Sequence, residues 1–181
     1  FTAKDRIIVH NEYSEPWKVT VVDTGMNTMT GGRIKRISNF VKEETFLMTY
    51  GDGLSNINIE ELIKFHKQQK KIVTLSAVIP EGRFGVIEIE NNLVRSFREK
   101  HQDDMGWING GYMVLEPEIF KYIENDQTVF ERQPLEKLAE IGELACYKHK
   151  GFWQCMDTLR DKKKLETLWE NGRAPWKIWE E

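Results

Sequence analysis

Residues 45–53 read Thr45-Phe46-Leu47-Met48-Thr49-Tyr50-Gly51-Asp52-Gly53. The apolar run 45–50 predicts a short strand, and the glycines on either side of Asp52 let the chain turn sharply at its carboxyl end. Asn58, followed three residues later by Glu61, predicts the N-cap of a helix that runs to about Gln69. Ligands bind beyond the carboxyl ends of strands in open α/β sheets, so Asp52 occupies a position where a functional side chain is expected.

Strand and helix patterns alternate along the rest of the chain, which predicts a Rossmann-like open mixed α/β sheet. A small β-hairpin annex is predicted where two β-rich runs flank Glu90-Asn91-Asn92. The other predicted strands are 6–9, 17–22, 71–79, 108–115 and 144–149, with hairpin arms at 84–89 and 93–97. The other predicted helices are 31–41, one opened by Pro117, 134–141 and 158–170.

Composition bounds the class of protein. The 181 residues are 40% hydrophobic and 30% charged, with a net charge of −3, which is typical of a folded domain. No apolar run approaches the roughly 18–20 residues of a membrane span, and the balanced charge does not favour nucleic acid. Cys146 and Cys155 are too few for a disulfide framework, so we expect buried or half-buried thiols in a cytoplasmic protein.

Two aspartates are candidate metal ligands. Asp52 suits Mg²⁺, which takes oxygen ligands, although Gly51-Asp52-Gly53 is also an ordinary turn. Asp157 lies between a predicted strand and a predicted helix, where it or Thr158 is by itself more simply a helix N-cap. If the two strand ends meet, the carboxylates complete one magnesium site.

Three further motifs each have a functional and a structural interpretation. Thr30-Gly31-Gly32-Arg33 enters a helix with backbone N–H groups that can receive an anion, but it also fits an ordinary capped helix. Asn109-Gly110-Gly111 predicts a bulge or a close ligand approach, where Asn109 can bond sugar hydroxyls. Lys100 is a compact cation suited to a phosphate, but it also fits an exposed pair with Glu99.

The order of these motifs resembles that of the glucose-1-phosphate cytidylyltransferases over essentially the whole chain. The most specific parts are the stretch from Asp23-Thr24-Gly25 to Thr30-Gly31-Gly32-Arg33, and Phe152-Trp153-Gln154-Cys155-Met156-Asp157-Thr158. The resemblance implies a nucleotide-diphospho-sugar transferase fold and Mg²⁺-assisted synthesis of CDP-glucose and pyrophosphate from CTP and α-D-glucose 1-phosphate. It also implies a product destined for dideoxyhexoses of bacterial surface polysaccharide, and a homo-oligomer. Composition and charge, as above, predict that the protein binds neither membrane nor nucleic acid.

The resemblance also implies site roles. Asp52 and Asp157 hold the metal and Lys100 binds the sugar phosphate, and these three form the catalytic set. The implied substrate-binding residues are Gly85, Glu99 and Asn109 around the glucose, with Gly31, Gly32 and Arg33 near the nucleotide or sugar.

One part of the family pattern is missing from the sequence. The family opens with a Gly-Gly-x-Gly-Thr-Arg loop followed by Pro-Lys-Pro, and neither occurs here. We therefore expect residues 1–181 to form a single nucleotidyltransferase domain that is incomplete at its N-terminus. The alternatives are a sister transferase that uses UTP, dTTP or GTP, and a non-catalytic sugar-nucleotide-binding module.

Overall fold

A computed structural model describes residues 17–41, 43–80, 86–90, 93–98 and 106–179, with the backbone alone for 86–90 and 93–98. The helices are α1 (Thr30–Arg36), α2 (Ser38–Val41), α3 (Ile59–Gln69), α4 (Gln133–Glu140) and α5 (Leu159–Glu170), with a 3₁₀ helix at Pro117–Tyr122. The strands are β1 (Phe46–Thr49), β2 (Gly53–Ser55), β3 (Val73–Val78), β4 (Val86–Glu90), β5 (Leu93–Arg98), β6 (Ile108–Leu115), β7 (Leu144–Lys148) and β8 (Trp153–Cys155).

The central sheet is open and mixed, as predicted. It has four strands in the order β1-β6-β3-β7, where β6 is antiparallel to both of its neighbours and β3 is parallel to β7. The predicted hairpin is confirmed as the antiparallel pair β4–β5. A third, two-stranded sheet joins β2 to β8, which lie almost a hundred residues apart in the chain.

Apolar side chains cover both faces of the central sheet. Met113 and Leu115 of β6 pack into one cluster with Phe130 and Leu138, while Val114 between them packs with Leu62 of α3 on the other face. This alternation follows from the two-residue period of a strand. The sheet is therefore the middle layer of three, with α3 on one side and α1, α4 and the 3₁₀ helix on the other.

The N-cap of α3 is confirmed. The Asn58 side chain accepts a hydrogen bond from the Glu61 N–H at 3.0 Å. Helix α3 buries Leu62 and His66. The His66 ring bonds Thr74 Oγ1 at 2.8 Å and Glu116 Oε1 at 2.9 Å, which assigns this histidine a structural role.

Replacing the cap residue, Asn58→Ala, is expected to lower the free energy of unfolding by about 0.5–2 kcal/mol, because the Glu61 N–H loses its partner. Urea denaturation checks this. Asn58→Asp keeps an acceptor at the same position and is the matched control, so an equal loss of stability in both variants would contradict the capping role.

Several sequence predictions are wrong. Residues 17–22 form no strand within the described chain, and Val19 and Val21 are 76% and 82% exposed. Their β-branched side chains favour a strand only where a neighbouring strand and a core are present. The predicted helix 31–41 is two helices that part at Ile37, and Phe40 of the second helix is exposed. The strand predicted at 6–9 lies outside the described residues.

The C-terminal region is confirmed in part. The predicted helix 158–170 is present as α5, which buries Leu165 but leaves Leu159 and Trp169 more than half exposed. Cys155 is partly buried, whereas Cys146 is exposed, contrary to expectation, and lies on β7 at the end of the described strand order. Within the described residues, no helix is long and apolar enough to cross a membrane.

Candidate active site

The small β2–β8 sheet brings the two candidate metal ligands to neighbouring backbone positions. Gly53 pairs with Cys155, and the pairing extends one step further because Met156 N donates to Asp52 O at 2.8 Å. Asp157 follows Met156 directly, so both aspartates lie at the same end of this sheet. Both residues are solvent-exposed and accessible to a ligand.

Asp157 is not the cap of the helix that follows it. Thr158 is the N-cap of α5, and Asp161 completes a capping box with it. The Asp157 carboxylate instead accepts a hydrogen bond from Cys155 Sγ at 3.1 Å. The Asp157 side chain is therefore turned back along its own strand toward Cys155, the residue that pairs with Gly53.

Two hydrogen bonds attach this small sheet to the central one. Trp153 Nε1 donates to Gly110 O at 2.8 Å, and the Tyr112 hydroxyl donates to Gly53 O at 2.8 Å. Gly110 and Tyr112 belong to β6. The Asp52 and Asp157 strand ends are thus held on the strand that carries Asn109.

The paired glycines of β6 are explained by close packing. A Cβ on Gly110 would lie 2.7 Å from Val78 Cγ1, and one on Gly111 would lie 2.7 Å from the Tyr50 ring. Gly111 also has a φ of +79°, which disfavours any side chain. The predicted bulge is present in β6 itself, because the step from Leu75 to Ala77 in β3 is matched by the longer step from Met113 to Asn109 in β6.

A hydrogen-bond chain links three of the predicted motifs. Asn109 Nδ2 donates to the Tyr50 hydroxyl at 3.4 Å, and that hydroxyl donates to Glu131 Oε1 at 2.6 Å. The other carboxylate oxygen of Glu131 accepts from Thr30 Oγ1 at 2.7 Å. Burial, the hydrogen bond to Glu131 and the charges of Glu131 and Asp52 together raise the pKa of the Tyr50 phenol, which therefore stays protonated.

Gly31 and Gly32 have packing roles. Gly31 N donates to Thr128 O at 2.9 Å, so this N–H is not available to an anion. A Cβ on Gly32 would lie 2.6 Å from both Cα and O of Asp126. The first turn of α1 can therefore lie directly against loop 126–128 only because both residues lack a side chain.

Two arginines of α1 fold the preceding loop onto the helix. Arg33 donates to Thr24 Oγ1 at 2.7 Å and to Met26 O at 3.3 Å. Arg36 donates to Thr24 O and forms a two-point ion pair with Asp126. The hydrogen bond to Arg36 and its positive charge lower the pKa of the Asp126 carboxyl. Arg33 is exposed and contacts this loop rather than the Asp52 end of the sheet.

The remaining predicted site residues, Gly85, Glu99 and Lys100, lie outside the described residues. Among the described residues, no cluster of three or more His, Cys, Asp and Glu side chains is arranged to hold a metal. Two carboxylates nonetheless fit Mg²⁺, because this ion usually binds through one or two carboxylates and completes its shell with water and phosphate oxygens.

Sequence reasoning missed Glu131 and Tyr50. Tyr50 was assigned only as the last residue of an apolar strand, and Glu131 lies in no motif that we singled out. The signal available in the sequence was an acidic residue between an aromatic residue, Phe130, and the helix that begins near Pro134. The structure shows that Phe130 is fully buried. Only the tertiary fold reveals its partners, which are 81 and 101 residues away in sequence.

Comparison with known proteins gives consistent results. The model of a family described as nucleotidyl transferase matches residues 3–170. A glucose-1-phosphate cytidylyltransferase of Salmonella typhi is 53% identical over 179 residues, which cover 98% of this chain and 70% of that protein. A probable glucose-1-phosphate cytidylyltransferase of Bacillus subtilis is 42% identical over 166 residues, covering 91% of this chain and 65% of that protein.

The solved structures agree on the fold. A putative glucose-1-phosphate thymidylyltransferase from Bacillus anthracis superposes with a TM-score of 0.60 at 16% identity, covering 87% of this chain and 65% of that one. At this identity the likeness supports the architecture alone.

Proposed function

Since the chain belongs to the nucleotidyl transferase family, we propose that it transfers a cytidylyl group from CTP to α-D-glucose 1-phosphate, giving CDP-glucose and pyrophosphate. The fold is that of the nucleotide-diphospho-sugar transferases. The choice of CTP and glucose 1-phosphate is supported by the names of the relatives that match at 53% and 42% identity.

The observation that supports the proposal is that the backbones of Asp52 and Asp157 lie at the same end of the β2–β8 sheet. The backbone bond from Met156 to Asp52 holds the two strand ends together, and Thr158 takes the capping role that would otherwise occupy Asp157. This leaves two exposed carboxylates beside a strand that carries Asn109, which supports a metal-assisted phosphate site next to a sugar site.

In the proposed mechanism, a phosphate oxygen of glucose 1-phosphate attacks the α-phosphorus of CTP in line. The new P–O bond forms as the bond to the β-phosphate breaks, and pyrophosphate leaves with that electron pair. No covalent enzyme intermediate is required, so the protein contributes positioning and charge neutralisation. Asp52 and Asp157 would hold Mg²⁺, which when bound neutralises phosphate charge and orients the reactants.

Other residues would bind and orient the sugar phosphate. We propose that Lys100 neutralises its phosphate, and that Asn109, Glu99 and Gly85 contact the glucose. Asn109 is half-buried and held through both ends of its amide, so it can present hydrogen-bonding groups with little loss of side-chain entropy. Gly31, Gly32 and Arg33 would act on the nucleotide through the conformation of the loop and helix that they hold together.

The proposal is tested by supplying CTP, UTP, dTTP and GTP in turn with glucose 1-phosphate and Mg²⁺, and by measuring pyrophosphate release from the native polypeptide. We expect kcat/KM for CTP to exceed that for each other nucleotide by at least about tenfold. A higher value for another base would assign a sister transferase. Magnesium-dependent binding of CDP-glucose without release of pyrophosphate from any nucleotide would assign a binding module.

A cytoplasmic location and homo-oligomerisation stay predictions. The aromatic tail offers no separate support for an oligomer, because Trp176 packs on Phe152 with ring centroids 5.4 Å apart and Trp179 packs on Trp169 at 6.5 Å. Analytical ultracentrifugation of the native polypeptide measures the subunit count directly.

A further inference from the structure

We propose that Glu131 is a positioning residue that fixes the orientation of the Asn109 amide, and thereby the hydrogen bonds offered to the sugar. The inference rests on the proposed function, since it assumes that Asn109 contacts the glucose. Glu131 itself lies one side chain away from Asn109, with Tyr50 between them.

The Glu131 carboxylate sets the direction of two hydrogen bonds. An ionised carboxylate only accepts hydrogen bonds, so both neighbouring hydroxyls must direct their single hydrogen toward it. Tyr50 donates at 2.6 Å and Thr30 at 2.7 Å. The side chain is partly buried, and its backbone follows the fully buried Phe130, so the position of the carboxylate is set by the core.

The Tyr50 hydroxyl in turn sets which end of the Asn109 amide faces it. Because its hydrogen is directed at Glu131, its oxygen presents only lone pairs toward Asn109. The Asn109 amide therefore turns its Nδ2 toward Tyr50, at 3.4 Å, while its Oδ1 accepts from Gly111 N at 2.9 Å. The direction of each bond in this chain follows from the bond before it.

The Asn109 amide keeps hydrogen-bonding groups that a ligand can use. An Asn side chain has two N–H donors and a carbonyl oxygen with two lone pairs. One N–H is directed at Tyr50 and one lone pair at Gly111, which leaves one donor and one acceptor for other partners. A sugar hydroxyl both donates and accepts, so this pair of groups in a fixed order matches one sugar hydroxyl or two adjacent ones.

The second carboxylate oxygen of Glu131 connects the same hydrogen-bond chain to α1. Thr30 Oγ1 donates to Glu131 and also accepts from Phe130 N at 2.9 Å, which fixes this hydroxyl in both roles. Thr30 is the first residue of α1 and precedes Gly31. Glu131 thus holds the start of α1 and the Tyr50–Asn109 pair in one network.

The test is Glu131→Gln, which keeps the shape of the side chain but replaces one acceptor by an N–H₂ donor. We expect KM for glucose 1-phosphate to rise about tenfold, while KM for CTP changes by less than about twofold. Asn109→Ala should raise the same KM, and adding Glu131→Gln to it should cost little more, because both changes remove one function.

A readout that does not depend on activity accompanies the kinetics. The side-chain amide of Asn109 is observed directly by NMR in ¹⁵N-labelled protein, with its Nδ2–H₂ resonances assigned by their loss in Asn109→Ala. Because the Tyr50 oxygen faces Asn109 only while the Tyr50 hydrogen is directed at Glu131, these resonances should shift in Glu131→Gln relative to the wild type. Glu140→Gln, an exposed residue of α4 paired with Lys137, is the matched control and should change neither readout.

The outcomes separate the two claims. Unchanged Asn109 amide resonances in Glu131→Gln, or a lowered melting temperature with an unchanged KM for glucose 1-phosphate, overturn the positioning role. A wild type that releases no pyrophosphate refutes the proposed function. If the Asn109 resonances still shift in that case, the hydrogen-bond chain stands and its sugar role is overturned.

Discussion

The double substitution Asp52→Asn with Asp157→Asn is expected to lower the rate of pyrophosphate release by at least about 10³-fold, equivalent to about 4 kcal/mol of transition-state stabilisation. Each change removes a negative charge and an anionic oxygen ligand from the proposed magnesium site. The fold should persist, because both residues are exposed and an amide oxygen can still accept the hydrogen bond from Cys155 Sγ.

Kinetics and thermal melting of the same preparations check this expectation. Glu166→Gln removes another exposed carboxylate, one that pairs with Lys162 on α5, and serves as the control with unchanged turnover. Wild-type rates in the double variant would remove Asp52 and Asp157 from the catalytic set. A rate loss accompanied by an equal loss of folded protein would assign them to stability instead.

Replacing Gly32 by Ala is expected to lower the free energy of unfolding by about 1–3 kcal/mol in the absence of any ligand. The added Cβ would lie 2.6 Å from backbone atoms of Asp126 and 2.7 Å from Thr28 Cγ2. Backbone atoms cannot rotate away as a flexible side chain can, so α1 and loop 126–128 must separate. Urea unfolding measures the loss.

Gly106→Ala is the matched control, because a Cβ there meets nothing within 4 Å among the described residues. This pair of variants decides between the two interpretations of the Thr-Gly-Gly-Arg motif. If Gly32→Ala keeps full stability but binds nucleotide more weakly, Gly32 is a ligand contact and its packing against Asp126 is of little consequence.

Local patterns in the sequence predicted much of the fold correctly. β6 was predicted at its observed bounds, and the capped helix after Asn58 and the β4–β5 hairpin are confirmed, because caps, turns and strand periods act over a few residues. Residues 17–22 failed for the opposite reason. Their strand propensity depends on a partner strand, and a pairing partner cannot be read from the segment itself.

The candidate site shows the same division between local and long-range information. The resemblance singled out Asp52 and Asp157, but spacing alone could not bring them together, since the closeness of their strand ends depends on the pairing of β2 with β8. The sequence left either Asp157 or Thr158 as the N-cap of α5. The capping box between Thr158 and Asp161 assigns this role to Thr158. Glu131 escaped notice because each of its contacts crosses the fold, and a lone acidic residue carries no local pattern.

The attachment of the β2–β8 sheet also governs local unfolding at the proposed site. A two-stranded ribbon of three residues per strand is at most marginally stable alone and would fray readily in water. Because the Trp153 indole and the Tyr112 phenol tie it to β6, local unfolding at Asp52 and Asp157 must break those bonds as well. We therefore expect the strand ends that carry the two carboxylates to unfold together with the core sheet, and not independently of it.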